Sequence, residues 1–549
     1  DFNAQLGAAS AADVDGDGDV ELVGLEPTQL GAGVFVIDPL DCSSTFALIP
    51  AESGQPAAKT MSTLVNLDDD PELEVVTQYF RFAEDLPDTP GDDRIRLMAF
   101  NLDGSPVEAW PLNGLSDSPV FETGFNGGWL GASPVAADLT GDGSVALLTG
   151  FTQVGPTSPI PGEPPLCDAV ASGTTCNAVV AIDGRTGQLL WQYVGGVTRP
   201  MDNARTPVIV DLDLDGDTEI IWNQLVLDHQ GKLLFELPVE ETLVTAGNVL
   251  GGNGFLTVAV GNFDNDAFPE IVGFDDTNLY VFSHDGELQA PYRSYDGNGF
   301  GFPWVGLTLA ELDGDPFPEM VTMLTGDGDA NLTLRAFDSD WEPLWDTFTL
   351  TGYAVRGFTQ TWSSTPVAID LDRDGLDELI QLRSPSTTGD NSGRADSGLY
   401  IFDGATGAVI DSRQGRGTSG YDEALTVADL DGDGSAEIVT NFVNSLALGR
   451  FQLWDNLPGE PFADARPIRS QTTMQPTWVD VDATLSTSLE PHWLQPGRNY
   501  WNRIMSDLDP LAPEQDSFTY RASDGEFDSA EATVNIEIRP NGNPPFFLS

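Results

Sequence analysis

The stretch Asp211–Glu219 reads DLDLDGDTE and lies between two short apolar runs, Pro207–Val210 and Ile220–Trp222. Short β-branched runs bounded by turn residues indicate strands, so this stretch is predicted to be the turn of a β-hairpin. Oxygen atoms at alternate positions of a tight loop can converge on one centre, and Ca²⁺ binds six to eight oxygens at about 2.3 to 2.6 Å. The loop is therefore predicted to bind calcium through side chains at positions 1, 3, 5 and 9 and the backbone carbonyl at position 7.

The pattern, approximately D-x-D-x-D-x-x-x-E, occurs eight times at intervals of 49 to 73 residues, and we number the copies loop 1 to loop 8. The loops begin at Asp13, Asn66, Asp138, Asp211, Asn262, Glu311, Asp370 and Asp429. Asp and Gly also make good turns without a metal, which is the alternative for any single copy. Eight copies in one register favour a shared ligand, and repeats with one signature per unit are typical of solenoids, propellers and arrays.

Seven loops retain enough oxygen atoms to bind Ca²⁺, which predicts about seven calcium sites. The candidate ligands are Asp13, Asp15, Asp17, Asp19, Glu21, Asn66, Asp68, Asp70, Glu72, Glu74, Asp211, Asp213, Asp215, Asp217, Glu219, Asn262, Asp264, Asp266, Phe268, Glu270, Glu311, Asp313, Asp315, Phe317, Glu319, Asp370, Asp372, Asp374, Leu376, Glu378, Asp429, Asp431, Asp433, Ser435 and Glu437. Loop 3, which begins at Asp138, has Thr140 at position 3 and Ala146 at position 9. It is predicted to bind calcium weakly or not at all. An EF-hand is a poorer match, because its bidentate Glu lies at position 12 and helices flank its loop.

Further short strands are predicted between the loops, for example at Gly33–Asp38, Ala178–Asp183, Leu279–Phe282 and Leu399–Asp403. About four strands per repeat, with no sustained helical period, indicate a propeller blade of four antiparallel strands. We therefore predict an all-β protein with a β-propeller over residues 1–479. Eight motifs favour eight blades, and the degenerate loop 3 leaves seven blades as the alternative.

The apolar run, the D-x-D-x-D-G-x-x-E loop and the second apolar run resemble the FG-GAP and VCBS repeats of integrin α-subunit propellers and many secreted bacterial proteins. The resemblance covers residues 1 to about 475. It implies a propeller with calcium in the loop between the first two strands of a blade. It implies no single activity, because adhesins, scaffolds and ancillary parts of enzymes share these repeats.

Two insertions lengthen the repeats, Arg81–Arg94 and the Pro-, Gly-, Ser- and Thr-rich Phe151–Asn177. Both are predicted to leave the sheet as surface loops, where binding surfaces tend to lie. Cys167 and Cys176 are close enough in the second insertion to predict a disulfide. The remaining cysteine, Cys42, is predicted to be buried as a small apolar side chain.

After Asp480 the acidic loops end, and alternation around the Asp524-Gly525 turn predicts a hairpin within Asp516–Pro545. The alternating residues are Phe518, Tyr520, Ala532, Val534, Ile536 and Ile538. The segment resembles cadherin-like and bacterial Ig-like modules of large surface proteins. Residues 480–549 are therefore predicted to form a small β-sandwich-like module, incomplete by itself because a whole sandwich needs about 100 residues. Its apolar end, Phe546–Ser549, is predicted to dock on its own or a neighbouring subunit.

The chain is strongly acidic, with 87 acidic against 23 basic residues and a formal net charge of −64. Nucleic acid and anionic membranes are bound through basic patches, so neither is an expected partner. No apolar stretch is long enough to insert into a membrane. The chain begins with Asp1, which favours a mature chain after signal removal, secreted or at the cell surface.

Recognisable catalytic motifs are absent, so no catalytic residue is predicted. His229, His284 and His492 occur singly without metal-binding spacing, and the first two are predicted to be turn residues. The chain has no nucleophile elbow and no P-loop. Glycosidase carboxylate pairs are defined by spatial separation, so the sequence does not exclude them. Most of the twelve tryptophans are predicted to pack between blades.

These features favour a secreted calcium-binding propeller with a structural or adhesive role at the cell surface. Self-assembly into an extracellular fibre or layer is the sharper form of this hypothesis, with another surface protein or a glycan as the other expected partner. The alternative is a polysaccharide-active enzyme of the lyase type, since some secreted lyases use propellers that resemble this one. A glycan- or protein-binding head is the third hypothesis.

Overall fold

The structure is a computed structural model that describes residues 9–494 with gaps, together with the strands Glu514–Tyr520 and Ala532–Ile538. The gaps are 29–30, 50–54, 57–61, 69, 71, 82–93, 109, 111–120, 123–132, 155–174, 199–205, 240–256, 265, 275–277, 290–292, 295–306, 326–331, 350–361, 364, 385–397, 415–424, 444–448, 456–461, 463–464, 472–477, 481 and 487–490. Eight antiparallel sheets succeed one another along the chain, each with its strands in sequence order, and we number them blade 1 to blade 8.

The first strands of neighbouring blades lie against one another, which places them at the centre of a propeller. They are short runs of small and β-branched residues and are almost completely buried, as expected for strands with protein on both faces. The first strands are Ser10–Ala12, Thr63–Val65, Val135–Ala137, Val208–Val210, Thr257–Gly261, Thr308–Ala310, Val367–Ile369 and Thr426–Ala428.

The second strand of every blade begins at position 9 of an acidic loop and pairs with the first strand. The second strands are Glu21–Thr28, Glu74–Arg81, Ala146–Val154, Glu219–Trp222, Glu270–Phe274, Glu319–Thr325, Glu378–Ser384 and Glu437–Val443. The prediction that each loop is the turn of a β-hairpin is therefore confirmed.

The outer strands complete the blades. The third strands are Gly31–Ile37, Arg94–Asn101, Thr175–Asp183, Leu225–Leu227, Asn278–Phe282, Leu332–Phe337, Gly398–Phe402 and Gly449–Trp454. The fourth strands of blades 1 to 7 are Ser44–Leu48, Phe121–Glu122, Leu189–Thr198, Leu233–Glu236, Arg293–Ser294, Pro343–Thr349 and Val409–Gln414. Two short strands, Gln55–Pro56 and Trp362–Ser363, pair with the second strands of blades 2 and 7.

The ring closes between blade 8 and blade 1. The Thr426 hydroxyl donates to the Ala9 carbonyl at 2.7 Å, and the Val20 N–H donates to the Leu430 carbonyl at 3.0 Å. An apolar cluster that includes Phe35 of blade 1 joins the same two blades. The propeller has eight blades, so the alternative of seven is wrong.

The hydrophobic core is divided into clusters that join adjacent blades. Tryptophans bridge several of these junctions, as predicted. The indole N–H groups of Trp110, Trp191 and Trp345 donate to carbonyls in the next blade at 2.7, 2.9 and 2.7 Å. Burial of apolar surface between blades, together with these bonds, stabilises the ring.

Residues 465–471, which follow blade 8 and which we call the hub segment, bond to the first strands of blades 1, 2 and 3 in succession. Its Arg469 exchanges two backbone hydrogen bonds with Ala11 of blade 1, at 2.8 and 3.1 Å. The next residue, Ser470, accepts from the Leu64 N–H of blade 2 at 2.9 Å. The hub segment thus pairs with the first strands of blades 1 and 2.

Residues beyond 480 also contact the propeller. A 3-10 helix, His492–Leu494, buries His492 and Trp493, and the Trp493 indole donates to the Ala267 carbonyl of loop 5 at 3.2 Å. Further along, Glu514–Tyr520 pairs with Ala532–Ile538, with Phe518 opposite Val534, which confirms the predicted hairpin. The Ig-like sandwich and the division at residue 480 stay predictions, and the tail from Phe546 lies outside the described residues.

Two expectations are corrected. Cys42 is exposed rather than buried, because it lies in the turn that joins two outer strands of blade 1, where its φ is +60°. The second insertion does not leave the sheet at Phe151, because its strands run on to Val154 and resume at Thr175. Cys167 lies outside the described residues. His229 and His284 lie in matching turns, as predicted.

Candidate metal centres

The acidic loops share one hydrogen-bond framework. In all eight, the N–H at position 7 donates to the carboxylate at position 5, at 2.7 to 3.0 Å. In seven, the N–H at position 5 donates to the carboxylate at position 3, at 2.7 to 3.2 Å. These are the Asx turns that short acidic side chains form locally. Because a carboxylate has two oxygens, this use of one oxygen is compatible with metal binding by the other.

The glutamate at position 9 closes the loop from the other side. Its Oε2 accepts the N–H of position 2 at 2.6 to 2.9 Å in seven loops, all but loop 3. These glutamates are all buried, as the first residues of second strands whose neighbours face the core. They are Glu21, Glu74, Glu219, Glu270, Glu319, Glu378 and Glu437.

The second oxygen of several of these glutamates is not satisfied by the protein. Oε1 of Glu74, Glu319 and Glu437 is buried and has no hydrogen-bond partner among the described residues. A buried charged oxygen without a partner lowers the stability of the fold by roughly several kcal/mol, unless a positive charge lies beside it. A cation bound beside the glutamate would supply that charge.

Burial, and then the negative charge of neighbouring loop aspartates, raises the pKa of all seven glutamates, although the hydrogen bond from position 2 opposes the shift. The pKa is about 7 for Glu21 and Glu270, and about 8 for Glu74, Glu219 and Glu437. It is about 9 for Glu319 and Glu378. Buried acids crowded by acids are stable as anions only beside a positive charge.

The structure brings the predicted ligands together in groups of three acids, whose ligand oxygens lie within 4.8 Å of one another. Five such groups are Asp13, Asp15 and Asp17; Asp68, Asp70 and Glu74; Asp211, Asp213 and Glu219; Glu311, Asp313 and Glu319; and Asp370, Asp372 and Asp374. Loops 5 and 8 share the same framework, for example through the bond from the Leu430 N–H to Glu437. Coordination by the backbone carbonyl of position 7 stays a prediction.

The donor set fits calcium. Every side-chain donor at positions 1, 3, 5 and 9 of the seven loops is an oxygen, and the loops contain neither His nor Cys. Hard cations such as Ca²⁺ select oxygen ligands, whereas zinc sites use nitrogen and sulfur. A loop with three or four carboxylates suits Ca²⁺, which accepts six to eight oxygens in varied geometry, better than Mg²⁺, which requires a near-ideal octahedron.

Loop 3 differs in the manner expected from its sequence. Position 1 is not the difference, because both oxygens of Asp138 accept backbone N–H groups, from Gly143 at 2.7 Å and from Thr140 at 3.1 Å, as both oxygens of the position 1 aspartates of loops 1, 4 and 7 do. Hydrogen bonds from Ser144 hold the pKa of Asp142 below its usual range. Position 9 is Ala146, so no buried glutamate needs a counter-charge. Weak or absent calcium binding by this loop stays a prediction.

Sequence reasoning missed two acidic neighbours of the loops. Asp403 and Asp455 follow the third strands of blades 7 and 8. Burial raises the pKa of Asp372 and of Asp431, and the charges of Asp403 and Asp455 add to the rise. The signal was present, because a turn-forming Asp recurs after the third strand of several blades, as at Asp338. These residues bring additional negative charge close to loops 7 and 8.

Comparison with known proteins places the fold. No family model matches the chain, and no curated protein matches its sequence. The solved structure of the V. cholerae biofilm matrix protein Bap1 is 13% identical with a TM-score of 0.56, over 92% of this chain and 97% of that one. The exotype rhamnogalacturonan lyase YesX is 18% identical with a TM-score of 0.49, over 81% and 71%. The Bacillus licheniformis rhamnogalacturonan lyase PL11 is 14% identical with a TM-score of 0.44, over 92% and 79%.

Identities this low show a shared fold and no more. The chain is an eight-bladed β-propeller in which seven of the eight first hairpins have an acidic loop closed by a buried glutamate.

Proposed function

We propose that this chain is a secreted, calcium-stabilised β-propeller with a structural or adhesive role at the cell surface or in an extracellular matrix. The observation that supports it most directly is the buried glutamate at position 9 of seven loops, with an unpartnered oxygen at Glu74, Glu319 and Glu437. The resemblance to FG-GAP and VCBS repeats agrees with it. The acidic loops therefore concentrate negative charge, and a bound Ca²⁺ would supply the positive charge that balances it.

The mechanism is electrostatic and mechanical. Each loop joins the first and second strands of one blade, so an ion bound there would tie the two strands together at the same place in each blade. Without the ion, acids within 4.8 Å of one another repel in a chain that already has a net charge of −64. Calcium binding would therefore determine how firmly the propeller is folded.

The centre of the propeller favours a structural role over catalysis. The hub segment fills positions along the first strands of blades 1 and 2, and its arginines, Arg466 and Arg469, are buried. Buried arginines are not available to bind an acidic polysaccharide there. An extracellular role agrees with the fold shared with a biofilm matrix protein, although that likeness shows the fold alone.

Secretion and self-association belong to the same proposal. Within the described residues no helix is long and apolar enough to cross a membrane. The strongly acidic surface keeps the chain soluble at low calcium, and neutralisation by Ca²⁺ would lower the repulsion between copies. The proposed partner is a second copy, another surface protein or a glycan.

Thermal unfolding tests the calcium proposal. With free Ca²⁺ at 100 times the dissociation constant, each independent site adds about 2.7 kcal/mol to the free energy of unfolding. We expect a higher melting temperature in Ca²⁺ than after chelation, and a smaller rise in Mg²⁺. An unchanged melting temperature would contradict calcium binding.

Two further assays test the role. Light scattering in calcium measures self-association, which should weaken after deletion of Phe546–Ser549. A screen of acidic polysaccharides, followed by the absorbance of unsaturated products, tests the lyase alternative. Product formation would contradict the structural role.

A further inference from the structure

Two acidic loops are connected directly at the junction of blades 6 and 7. Asp377, at position 8 of loop 7, is fully buried. Its N–H donates to the Glu311 carbonyl at 2.7 Å, and its Oδ2 accepts the Glu311 N–H at 2.8 Å. Glu311 is position 1 of loop 6, so both backbone groups of a predicted ligand are bound by one residue of the next loop.

Each partner in this link is adjacent to a candidate calcium site. Glu311 contributes an oxygen to the group that contains Asp313 and Glu319. Asp377 immediately precedes Glu378, whose Oε2 closes loop 7 through the Leu371 N–H at 2.8 Å. A change in the backbone of loop 6 at position 1 is therefore transmitted to position 8 of loop 7, one residue from its buried glutamate.

Packing leaves little room for the two loops to move separately. A Cβ on Gly404 would collide with the Asp377 carbonyl oxygen, so only glycine lets the backbone at residue 404 lie this close to the backbone of Asp377. The carbonyl of Gly404 accepts from the Trp345 indole of blade 6 at 2.7 Å. The same Cβ on Gly404 would lie 2.6 Å from Leu312 Cδ2 of loop 6, so Gly404 is packed against both loops.

We propose that Asp377 is a positioning residue that couples calcium binding at loop 6 to calcium binding at loop 7. The inference rests on the proposed calcium function. An ion that orders loop 6 fixes Glu311, and the two hydrogen bonds then fix Asp377 and the end of loop 7. The second ion meets a loop that is already ordered, so it binds more tightly.

Other junctions show why Asp377 is the residue to test. Position 8 of loop 1 makes a backbone bond from Val20 to Leu430, and position 8 of loop 4 makes one from Thr218 to Leu139. At neither of these two does a carboxylate bind the N–H of a predicted ligand. Thr218 is a matched control for Asp377, because it also lies at position 8 of its loop and bonds to the preceding loop. That preceding loop is loop 3, which lacks the glutamate at position 9.

Hydrogen exchange measured by mass spectrometry can follow each loop separately in the full chain, using Ca²⁺ alone as the ligand. Peptides covering 311–319, 370–378 and 66–74 report loops 6, 7 and 2 during a calcium titration. Glu319→Gln weakens loop 6 by removing one ligand charge. We expect it to raise the calcium midpoint for protection of loop 7 by about fivefold or more, a typical size for coupling between sites. Loop 2 should keep its midpoint.

Coupling between binding sites is reciprocal. Glu378→Gln should therefore raise the midpoint of loop 6 by the same factor. Asp377→Leu, which keeps the backbone bond to the Glu311 carbonyl but removes the acceptor for the Glu311 N–H, should reduce both cross-effects, whereas Asp377→Asn, which retains an oxygen acceptor, should preserve them. Thr218→Val should preserve them as well. A variant that was destabilised but still coupled would show that Asp377 acts only in folding.

The outcomes separate the two proposals. If no loop gains protection in Ca²⁺, the calcium function itself fails. If loops 6 and 7 are protected but Glu319→Gln leaves the loop 7 midpoint unchanged, the coupling is wrong and the calcium function stands. This second comparison needs no substitution at Asp377, so it holds even if Asp377→Leu does not fold.

Discussion

A single buried side chain has two tasks in each complete loop. Oε2 of Glu319 accepts the Leu312 N–H at 2.6 Å and so fixes the loop, while Oε1 is buried without a partner. A glutamine could perform the first task, because its carbonyl is also an acceptor. It could not neutralise a cation. The presence of an acid rather than an amide at this buried position is therefore explained by a ligand rather than by folding.

Acid sensitivity at one residue outside the loops can be predicted from its burial. Burial lowers the pKa of His492 to about 4, and the hydrogen bond to the backbone of Val260 only partly opposes it. The unfolded state binds the proton near pH 6.5, so stability is complete above that pH and falls as the pH drops towards 4. Between pH 7 and pH 5 we expect a loss of about 2 kcal/mol from His492.

Carboxylates titrate over the same range, so the effect is measured as a difference. Urea unfolding of the native sequence and of His492→Phe, in metal-free buffer at pH 7 and pH 5, isolates the histidine. The variant should lose less stability on acidification than the native chain does. Parallel pH profiles for the native chain and His492→Phe would refute the assignment.

At the scale of the element, sequence was sufficient wherever the determinants were local. The spacing from Asp370 to Glu378 predicted the hairpin turn, and the structure begins the second strand at that glutamate. The link between Asp377 and Glu311 could not be predicted, because it joins residues 66 apart. Such contacts depend on how blades are placed side by side, and no periodicity in the sequence specifies that placement.

The tryptophan that connects blades 6 and 7 offers a test of this lateral packing. Trp345 is buried against Phe402, and its indole N–H donates to the Gly404 carbonyl. Trp345→Phe leaves that carbonyl without its donor and opens a small cavity, so we expect a loss of about 2 to 3 kcal/mol in the free energy of unfolding. Urea denaturation at saturating Ca²⁺ measures it.

A matched substitution shows whether the loss of stability comes from the buried, unpaired carbonyl or from replacing any indole. Trp191 makes the equivalent bond to the His229 carbonyl at 2.9 Å but is partly exposed. Water can replace its donor, so Trp191→Phe should cost about 1 kcal/mol or less. Equal costs at the two sites would show that the buried carbonyl is not the cause.

For the whole molecule, eight motifs predicted eight blades even though loop 3 has lost two of its acids. Blade 3 still forms because Asp138 and Asp142 complete their hydrogen bonds within the loop. The hub segment was not predicted at all. Residues 465–471 have no motif, and their partners in blades 1 to 3 lie 335 to 458 residues earlier in the chain, from Ala136 back to Ala11. Contacts between residues this far apart in sequence form only when the blades are assembled into the ring, so local propensity does not predict them.

The hub segment is predicted to stabilise the ring as a unit. The side chain of Gln471 binds both backbone groups of Ala136 in blade 3, accepting its N–H at 2.8 Å and donating to its carbonyl at 3.2 Å. Gln471→Leu leaves both groups buried and unpaired, so we expect a loss of about 2 to 5 kcal/mol in the free energy of unfolding. The urea midpoint at saturating Ca²⁺ should fall with an unchanged slope. Gln230→Leu, in an exposed turn, is the control and should leave the midpoint unchanged. If Gln471→Leu unfolds at the same urea concentration as the native chain, blade 3 is held in the ring without the hub segment.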